Sequence, residues 1–159
     1  MSARQHALER IARELAYPLD QALVIGGNYS VAVQHAGVVY VSGQLPRIGT
    51  EICLPGRVGD QRTLDEARQA ARICGVRVLH ALMRQPGGLD SVAQLLQLSV
   101  FVHSADDFTR QSEVADAASN LLVAVFGPAG LHSRTSVGVR QLPKNAAVEL
   151  NLTAALHPV

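Results

Sequence analysis

Hydrophobic residues recur every three to four positions in three stretches of the chain, which is the spacing of one face of a helix. This spacing predicts helices over residues 3–16, 63–83 and 107–126. Shorter stretches that are uniformly apolar, or that alternate apolar with polar residues, predict strands. These strands cover residues 30–35, 38–44 and 95–103, and two more lie within residues 133–156. The order of elements predicts an α+β fold, in which two helices pack on one face of a mostly antiparallel, mixed sheet.

Local signals mark the ends of several elements. Thr63 and Glu66 have the spacing of a capping box, which is typical of a helix start. Asp106 and Asp107 are interpreted as an N-cap pair for the third helix, because aspartate side chains accept hydrogen bonds from the free N–H groups there. Ala36-Gly37 joins the first two strands as a hairpin turn.

The first helix is predicted to be an addition to the main domain. Tyr17-Pro18 ends it, because the residue before a proline is disfavoured in the α region. We therefore expect residues 1–18 to form an N-terminal helical extension and residues 19–159 to form a single domain. The extension could dock on this domain or on a neighbouring subunit. Loop 46–62 is long for a plain connection, and long ordered loops are often functional.

The last stretch, residues 133–156, carries the chemistry of most interest. It is predicted to form a hairpin of two strands around the turn at residues 142–145. If the apolar faces of both strands share one core, Arg134 and Glu149 lie on the same polar face. A register that pairs Arg134 with Thr153 places Glu149 roughly 13 Å farther along, at about 3.3 Å per residue. A small anion held by Arg134 would fit between them, and the alternative is a solvated pair on the surface of an amphipathic hairpin.

Composition narrows the expected partners and location. The chain carries a formal charge of +1, no Trp and an aromatic fraction of 4%. Such a chain lacks the positive potential and the stacking surfaces that are typical of nucleic-acid-binding proteins. The charged residues at its start do not fit a signal peptide, and no apolar run approaches the ~20 residues of a membrane helix. We therefore expect a cytoplasmic protein with neither a nucleic-acid nor a membrane partner.

The sequence does not predict a metal or cofactor site. Cys53 and Cys74 stand alone, and the six histidines show no HExxH or comparable ligand spacing. His132 is close to Arg134 in sequence and could line a site or belong to a surface loop. The chain is therefore expected to use no metal and no cofactor.

Several segments in combination resemble the YjgF/Rid family over roughly residues 28–155. They are Val39–Pro46 (VYVSGQLP), Val100–Val102, Val125–Gly127, Ser133–Val137, Leu142-Pro143 and Val148-Glu149. The characterised members of this family are enamine and imine deaminases. The resemblance implies a chorismate-mutase-like fold and a homotrimer around a central barrel, with active sites in the clefts between subunits. The extra N-terminal helix and loop 46–62 resemble a longer branch of the family.

The resemblance also implies which residues act. The spacing of Arg134 and Glu149 is similar to that of the family's carboxylate-binding arginine and water-orienting glutamate. Four further residues are expected to bind substrate: Tyr29, Ser42, Gly43 and Ser136. Tyr29 is similar in placement to a tyrosine that lines the family's cleft, and Ser136 stands where a cysteine is often found. Burying an arginine and a glutamate is costly without compensating partners, so we expect each site to take Arg134 from one chain and pocket residues from its neighbour.

Three functions follow from this resemblance. The first is hydrolysis of a 2-imino acid, formed from an enamine such as 2-aminoacrylate, to a 2-oxo acid and ammonia. Arg134 would hold the carboxylate of the substrate, and Glu149 would orient the water. The second is a non-catalytic module that binds or senses a small carboxylate in the same cleft. The third is an endoribonuclease, which the near-neutral charge and scarce aromatic residues argue against.

Overall fold

A computed structural model describes residues 1–158 of the chain. The three α-helices are α1 (Ala3–Glu14), α2 (Leu64–Met83) and α3 (Gln111–Phe126). The seven strands within these residues are β1 (Ala32–His35), β2 (Val38–Gln44), β3 (Arg47–Ile48), β4 (Glu51–Ile52), β5 (Val92–His103), β6 (Ser133–Val139) and β7 (Val148–Leu156). Five strands form one sheet in the order β1-β2-β7-β5-β6, and β3 and β4 pair separately within the long loop. Among the strand pairs within residues 1–158, β5 and β6 are parallel and the others are antiparallel.

Helix α2 follows the sequence signals closely. The Thr63 hydroxyl accepts from the backbone N–H of Glu66 at 3.2 Å, and the Glu66 carboxylate accepts from the backbone N–H of Thr63 at 2.8 Å. This reciprocal pair satisfies two free donors at the helix N-terminus and confirms the predicted capping box. Helices α2 and α3 pack against each other and cover one face of the sheet.

Helix α3 begins later than the sequence predicts, and its predicted cap is wrong. The N-cap residue is Arg110, and its side chain makes no capping hydrogen bond. Asp106 and Asp107 precede the helix because the backbone turns there, with the N–H of Phe108 donating to the carbonyl of Ala105 at 3.0 Å. Both aspartates remain exposed to solvent.

The predicted hairpin over residues 133–156 is also wrong. Strand β5 lies between β6 and β7, so these two strands do not pair with each other. The connection between them crosses the end of β5, where the N–H of His103 donates to the carbonyl of Ala147 at 2.9 Å. Alternation shows which face of a strand is apolar, but it does not show which strand is its neighbour. The long apolar strand β5 pairs with both β6 and β7 instead.

Arg134 and Glu149 consequently lie on opposite faces of the sheet. Arg134 pairs with Leu98 of β5, whose side chain is in the core under the helices. Glu149 pairs with Phe101, three residues farther along β5, and points to the other face. Two strand spacings of about 4.8 Å and three residues of about 3.3 Å separate their Cα atoms by roughly 14 Å. The expectation that both share one polar face is wrong.

Helix α1 docks on its own domain. Leu8 is fully buried, and Ile11 and Ala12 are buried beside it in the same core as α2 and α3. Beyond the helix, the hydroxyl of Tyr17 lies 3.0 Å from Nδ1 of His80 on α2. The two rings meet edge to face, with centroids 5.7 Å apart. The extension therefore contributes to the core.

One face of the sheet is not covered by helices. Along β7 the residues that point toward the helices are buried, and the residues between them are only partly so. The uncovered face carries apolar side chains that remain largely exposed in a single chain: Val33 (54%), Tyr40 (52%) and Val137 (40%). Exposed apolar side chains that lie together on one face are typical of a surface that binds another protein.

Candidate functional site

Glu149 lies at the start of β7, beside an irregularity in β2. The register between β2 and β7 shifts between Val41 and Gln44, so Ser42 and Gly43 bulge out of the ladder. Gly43 then lies against the Glu149 carboxylate: a Cβ at this position would overlap Oε1 and lie 3.1 Å from Cδ. Any other residue at position 43 would force the Glu149 carboxylate to move, so the glycine allows the carboxylate to occupy this position.

A cavity of about 340 Å³ surrounds this carboxylate. Three of the predicted site residues line it: Tyr29, Gly43 and Glu149. Ser42 supports the same wall, because its hydroxyl donates to the carbonyl of Ser30 at 2.7 Å and its N–H donates to the carbonyl of Val31 at 2.9 Å. These bonds hold the segment that carries Tyr29 against the bulge. The structure thus brings four of the six predicted residues together.

Burial raises the pKa of Glu149 above its ordinary value. A half-buried carboxylate loses hydration that stabilises its charged form, so it holds a proton more readily than a carboxylate in water. A group of this kind is suited to accept a proton from water and to return it at a pH nearer neutrality. The cavity can therefore supply general acid–base chemistry through Glu149.

Three cationic side chains line the same cavity, and the sequence analysis did not identify them: Arg47, Arg77 and Lys144. Arg77 and Arg47 are 4% and 6% exposed, which is unusual for arginine. Burial lowers the pKa of Arg77, although the neighbouring Tyr17 opposes this, and the nearby charge of Arg47 lowers it further. A signal was present for Arg77, because it is the one charged residue within the apolar run of residues 73–79 in α2. Arg47 is the second residue of loop 46–62, which was predicted to be functional.

Arg134 and Ser136 lie elsewhere, between β6 and α3. Arg134 donates to the Asp116 carboxylate at 2.7 Å and to the Ser119 hydroxyl at 3.1 Å. The hydroxyl of Ser136 lies 3.4 Å from that of Ser112, one turn earlier on α3. The arginine side chain remains 22% exposed. Within one chain, the structure does not place Arg134 and Glu149 around a common ligand.

His132 supports this second region rather than lining the Glu149 cavity. Its Nε2 lies 2.9 Å from the Ser119 hydroxyl, and its Nδ1 lies 2.6 Å from the carbonyl of Gly130. The hydroxyl of Ser119 thereby connects His132 with Arg134 and fixes the start of β6 against α3.

A larger cavity of about 910 Å³ opens near His103 and Arg140. None of the six predicted residues lines it, and its residue Arg57 already forms an ion pair with Asp60. The smaller cavity is the better candidate, because it combines a half-buried carboxylate of raised pKa with buried cations.

Residues 1–158 contain no three His, Cys, Asp or Glu side chains that are grouped closely enough to hold a metal ion. No helix in this part of the chain combines the length and the apolar character that crossing a membrane requires.

Known proteins are similar to this chain over most of its length. A model of the family described as Endoribonuclease L-PSP matches residues 20–156. Protein TCP17 of Trypanosoma cruzi is 39% identical over 146 residues, which cover 91% of each chain. A Dermatophagoides farinae protein named 2-iminobutanoate/2-iminopropanoate deaminase is 30% identical over 125 residues, covering 78% of this chain and 82% of that protein.

The fold is shared with solved structures as well. The crystal structure of protein Atu1372 from Agrobacterium tumefaciens, of unknown function, superposes with a TM-score of 0.85 at 31% identity. The superposition covers 97% of this chain and 95% of that one, so it includes the N-terminal extension. The predicted α+β, chorismate-mutase-like fold is confirmed.

Proposed function

The chain belongs to the YjgF/Rid family, and on that premise we propose that it hydrolyses 2-imino acids, formed from enamines such as 2-aminoacrylate, to 2-oxo acids and ammonia. The observation that carries this proposal is the Glu149 carboxylate, which has a raised pKa and lies over Gly43 in a cavity lined by cationic side chains. The similarity to a protein named as a deaminase of 2-iminobutanoate and 2-iminopropanoate supports it.

Glu149 acts as the general base in this mechanism. Its carboxylate takes a proton from a water molecule as the water oxygen bonds to the carbon of the protonated imine, and the C=N bond becomes a single bond to a neutral amine. The proton then passes from Glu149 to the amine nitrogen. Glu149 next takes the proton of the new hydroxyl as the carbonyl forms, the C–N bond breaks and ammonia leaves, and that proton is returned to the ammonia. Proton transfer by a positioned side chain typically contributes 10²–10⁴-fold to the rate. The reaction consumes one water and needs no cofactor.

Arg134 holds the carboxylate next to the imine and comes from a neighbouring protomer of a homotrimer. Its guanidinium can form two parallel, charge-assisted hydrogen bonds with a carboxylate. Because Arg134 and Glu149 are on opposite faces of one sheet, a site that uses both requires two chains. Two features support an assembly: β1 and β6 are edge strands among the described residues, and the uncovered sheet face exposes apolar side chains. Ser136 lies on the same strand as Arg134 and lines the shared site.

The location proposed for this activity is the cytoplasm. Cys53 and Cys74 are both free thiols, and Cys74 is buried in the core. Free cysteines are typical of proteins from a reducing compartment.

A binding or sensing module is the second candidate. The excess of cations over carboxylates in the cavity favours anion binding, whether or not hydrolysis follows. A sensor would bind a 2-oxo acid equally well after Glu149→Gln and would release no ammonia from an imine. The endoribonuclease named in the family's description ranks third, because a 340 Å³ cavity suits a small metabolite and the chain is nearly neutral.

The experiment couples this protein to a dehydratase that releases the imine and measures ammonia formation against trapping by semicarbazide. We expect the wild type to accelerate ammonia release and Glu149→Gln to lower kcat by about 10²–10⁴-fold. Glu51→Gln is the matched control, since Glu51 is an exposed carboxylate on β4. Wild-type protein that leaves the rate unchanged would contradict the proposal.

A further inference from the structure

Two buried arginines in the Glu149 cavity have no acidic partner. Arg47 and Arg77 are each more than nine-tenths buried. None of the ion pairs found among residues 1–158 includes either one. Removing a cation from water is costly unless hydrogen-bond acceptors or an anion compensate for the lost hydration. Two such cations side by side also repel each other.

The guanidinium of Arg77 has neutral hydrogen-bond acceptors, whereas that of Arg47 is less well supplied with them. Arg77 donates from Nε to the Gln44 side chain at 3.2 Å, from Nη1 to the carbonyl of Arg47 at 3.2 Å and from Nη2 to the carbonyl of Val24 at 3.0 Å. These bonds fix its guanidinium in the cavity wall. Arg47 differs, because its Nε is buried and has no hydrogen-bond partner among residues 1–158.

Glu149 does not neutralise the pair. A guanidinium in direct contact with a carboxylate would lower the pKa of that carboxylate. The pKa of Glu149 is raised, and the cause is burial. The cavity therefore has a base that holds its proton readily at one position and a fixed positive charge at another.

We propose that Arg47, backed by Arg77, binds a second anionic group of the ligand, so that the preferred substrate is a 2-imino dicarboxylic acid. This inference rests on the proposed function, in which Arg134 of a neighbouring protomer holds the carboxylate next to the imine. The second carboxylate, at the far end of the substrate, lies against Arg47. It takes no part in the chemistry, since the reaction still adds one water to the C=N bond and releases ammonia. A volume of about 340 Å³ is at the small end of ligand cavities, as a short diacid requires.

The test compares two product-like probes that share one carbon chain. 2-Oxoglutarate has a carboxylate at the end where 2-oxopentanoate has a methyl group, and calorimetry measures the binding of each. We expect the wild type to bind 2-oxoglutarate about 10- to 100-fold more tightly, as hydrogen bonds to a charged partner allow. Arg47→Met is expected to remove this preference, because it weakens the binding of 2-oxoglutarate much more than that of 2-oxopentanoate.

Two further variants control for charge and folding. Arg13→Met removes an exposed arginine from α1 and is expected to keep the preference. Arg47→Lys retains the charge without the planar fork and is expected to keep part of the preference. If Arg47→Met fails to fold by circular dichroism, the wild type and Arg47→Lys decide the question. Equal binding of both probes to the wild type would overturn the proposal, as would a preference that survives in folded Arg47→Met.

The outcomes separate this inference from the proposed function. If 2-oxoglutarate binds through Arg47 but no imine is hydrolysed, the second anion subsite stands and the deaminase proposal fails. If monocarboxylic imines are hydrolysed and the wild type shows no preference for the diacid probe, the deaminase proposal stands and the diacid subsite fails.

Discussion

Gly43 and Glu149 are in direct contact: a Cβ atom on residue 43 would overlap Oε1 of the Glu149 carboxylate. The bulge in β2 produces this contact, because the register with β7 shifts at that point. The position of the carboxylate thus depends on a backbone feature of the neighbouring strand. This relationship links the local irregularity of the sheet to the proposed chemistry.

Gly43→Ala should therefore displace the Glu149 side chain and lower imine hydrolysis. We expect kcat to fall by at least 10-fold, because a general base must remain within hydrogen-bonding distance of the water. The double variant with Glu149→Gln should lose no more activity than Glu149→Gln alone, since both changes remove the same function. Additive losses in the double variant would show that Gly43 acts by another route.

Glu149→Gln should stabilise the protein at neutral pH. Because burial raises the pKa of Glu149 in the folded state, ionising it costs more there than in the unfolded chain. This cost is absent at low pH, grows as the pH rises from the ordinary carboxyl pKa through the folded pKa, and is constant above it. The variant should therefore have a higher Tm at neutral pH, by roughly 2–4 °C for each kcal/mol gained in a chain of this length.

Thermal melts of the wild type and of Glu149→Gln at pH 8 and pH 4 test whether the ionised Glu149 destabilises the fold. The variant should melt higher at pH 8, and the difference should shrink at pH 4, where wild-type Glu149 is protonated in both states. A variant that melts lower than the wild type at pH 8 would show that the Glu149 carboxylate stabilises the fold.

His80 should make the fold sensitive to mild acid. Burial lowers its pKa to about 4, and the charges of Arg84 and Arg77 add to this effect. Between pH 6.5 and 4, His80 binds a proton in the unfolded chain but not in the folded chain. The free energy of unfolding therefore falls as the pH falls through this window. The loss is of the order of 3 kcal/mol, at about 1.4 kcal/mol for each pH unit.

Urea unfolding at pH 7 and pH 4.5 measures this loss. The wild type should lose more stability than His80→Gln over the same interval, because the glutamine does not titrate. Equal losses in the two proteins would mean that His80 accepts its proton as readily in the fold as in water.

Sequence patterns predicted those elements whose signals are local. The capping box at Thr63 and the apolar spacing that follows it specify the start and the buried face of α2 within the segment itself. The bulge residues Ser42 and Gly43 were found through their family motif, and they do lie beside Glu149. The tertiary contacts of α1 could not be predicted, because an apolar stripe does not specify what covers it.

The errors concern neighbours that are distant in sequence. The alternation in residues 133–156 identified the buried face of β7 correctly but not that of β6, where Arg134 faces α3 and Val137 lies on the uncovered face. It also could not show that β5 inserts between the two strands. Arg47 and Arg77 were missed for a similar reason. They are 30 residues apart and meet only when the long loop folds over α2.

The mass of the protein in solution tests the proposed homotrimer directly. Light scattering at micromolar concentration should give three times the mass of one chain if the proposed homotrimer forms, and the exposed Val33, Tyr40 and Val137 of the uncovered sheet face offer a surface for its contacts. Tyr40→Glu places a charge on this face and should shift the protein toward smaller species. A mass equal to one chain for the wild type would contradict the homotrimer.

The sharpest test of the central claim mixes two inactive variants. Arg134→Ala and Glu149→Gln chains are unfolded, combined in equal amounts and refolded, and imine hydrolysis is then measured. If each site takes Arg134 from one protomer and Glu149 from the next, one half times one half, or about a quarter, of the sites contain both intact residues. The account predicts recovery of about a quarter of wild-type activity from two parents that have almost none. A mixture as inactive as its parents, although it refolds into the wild-type assembly, would contradict a shared site.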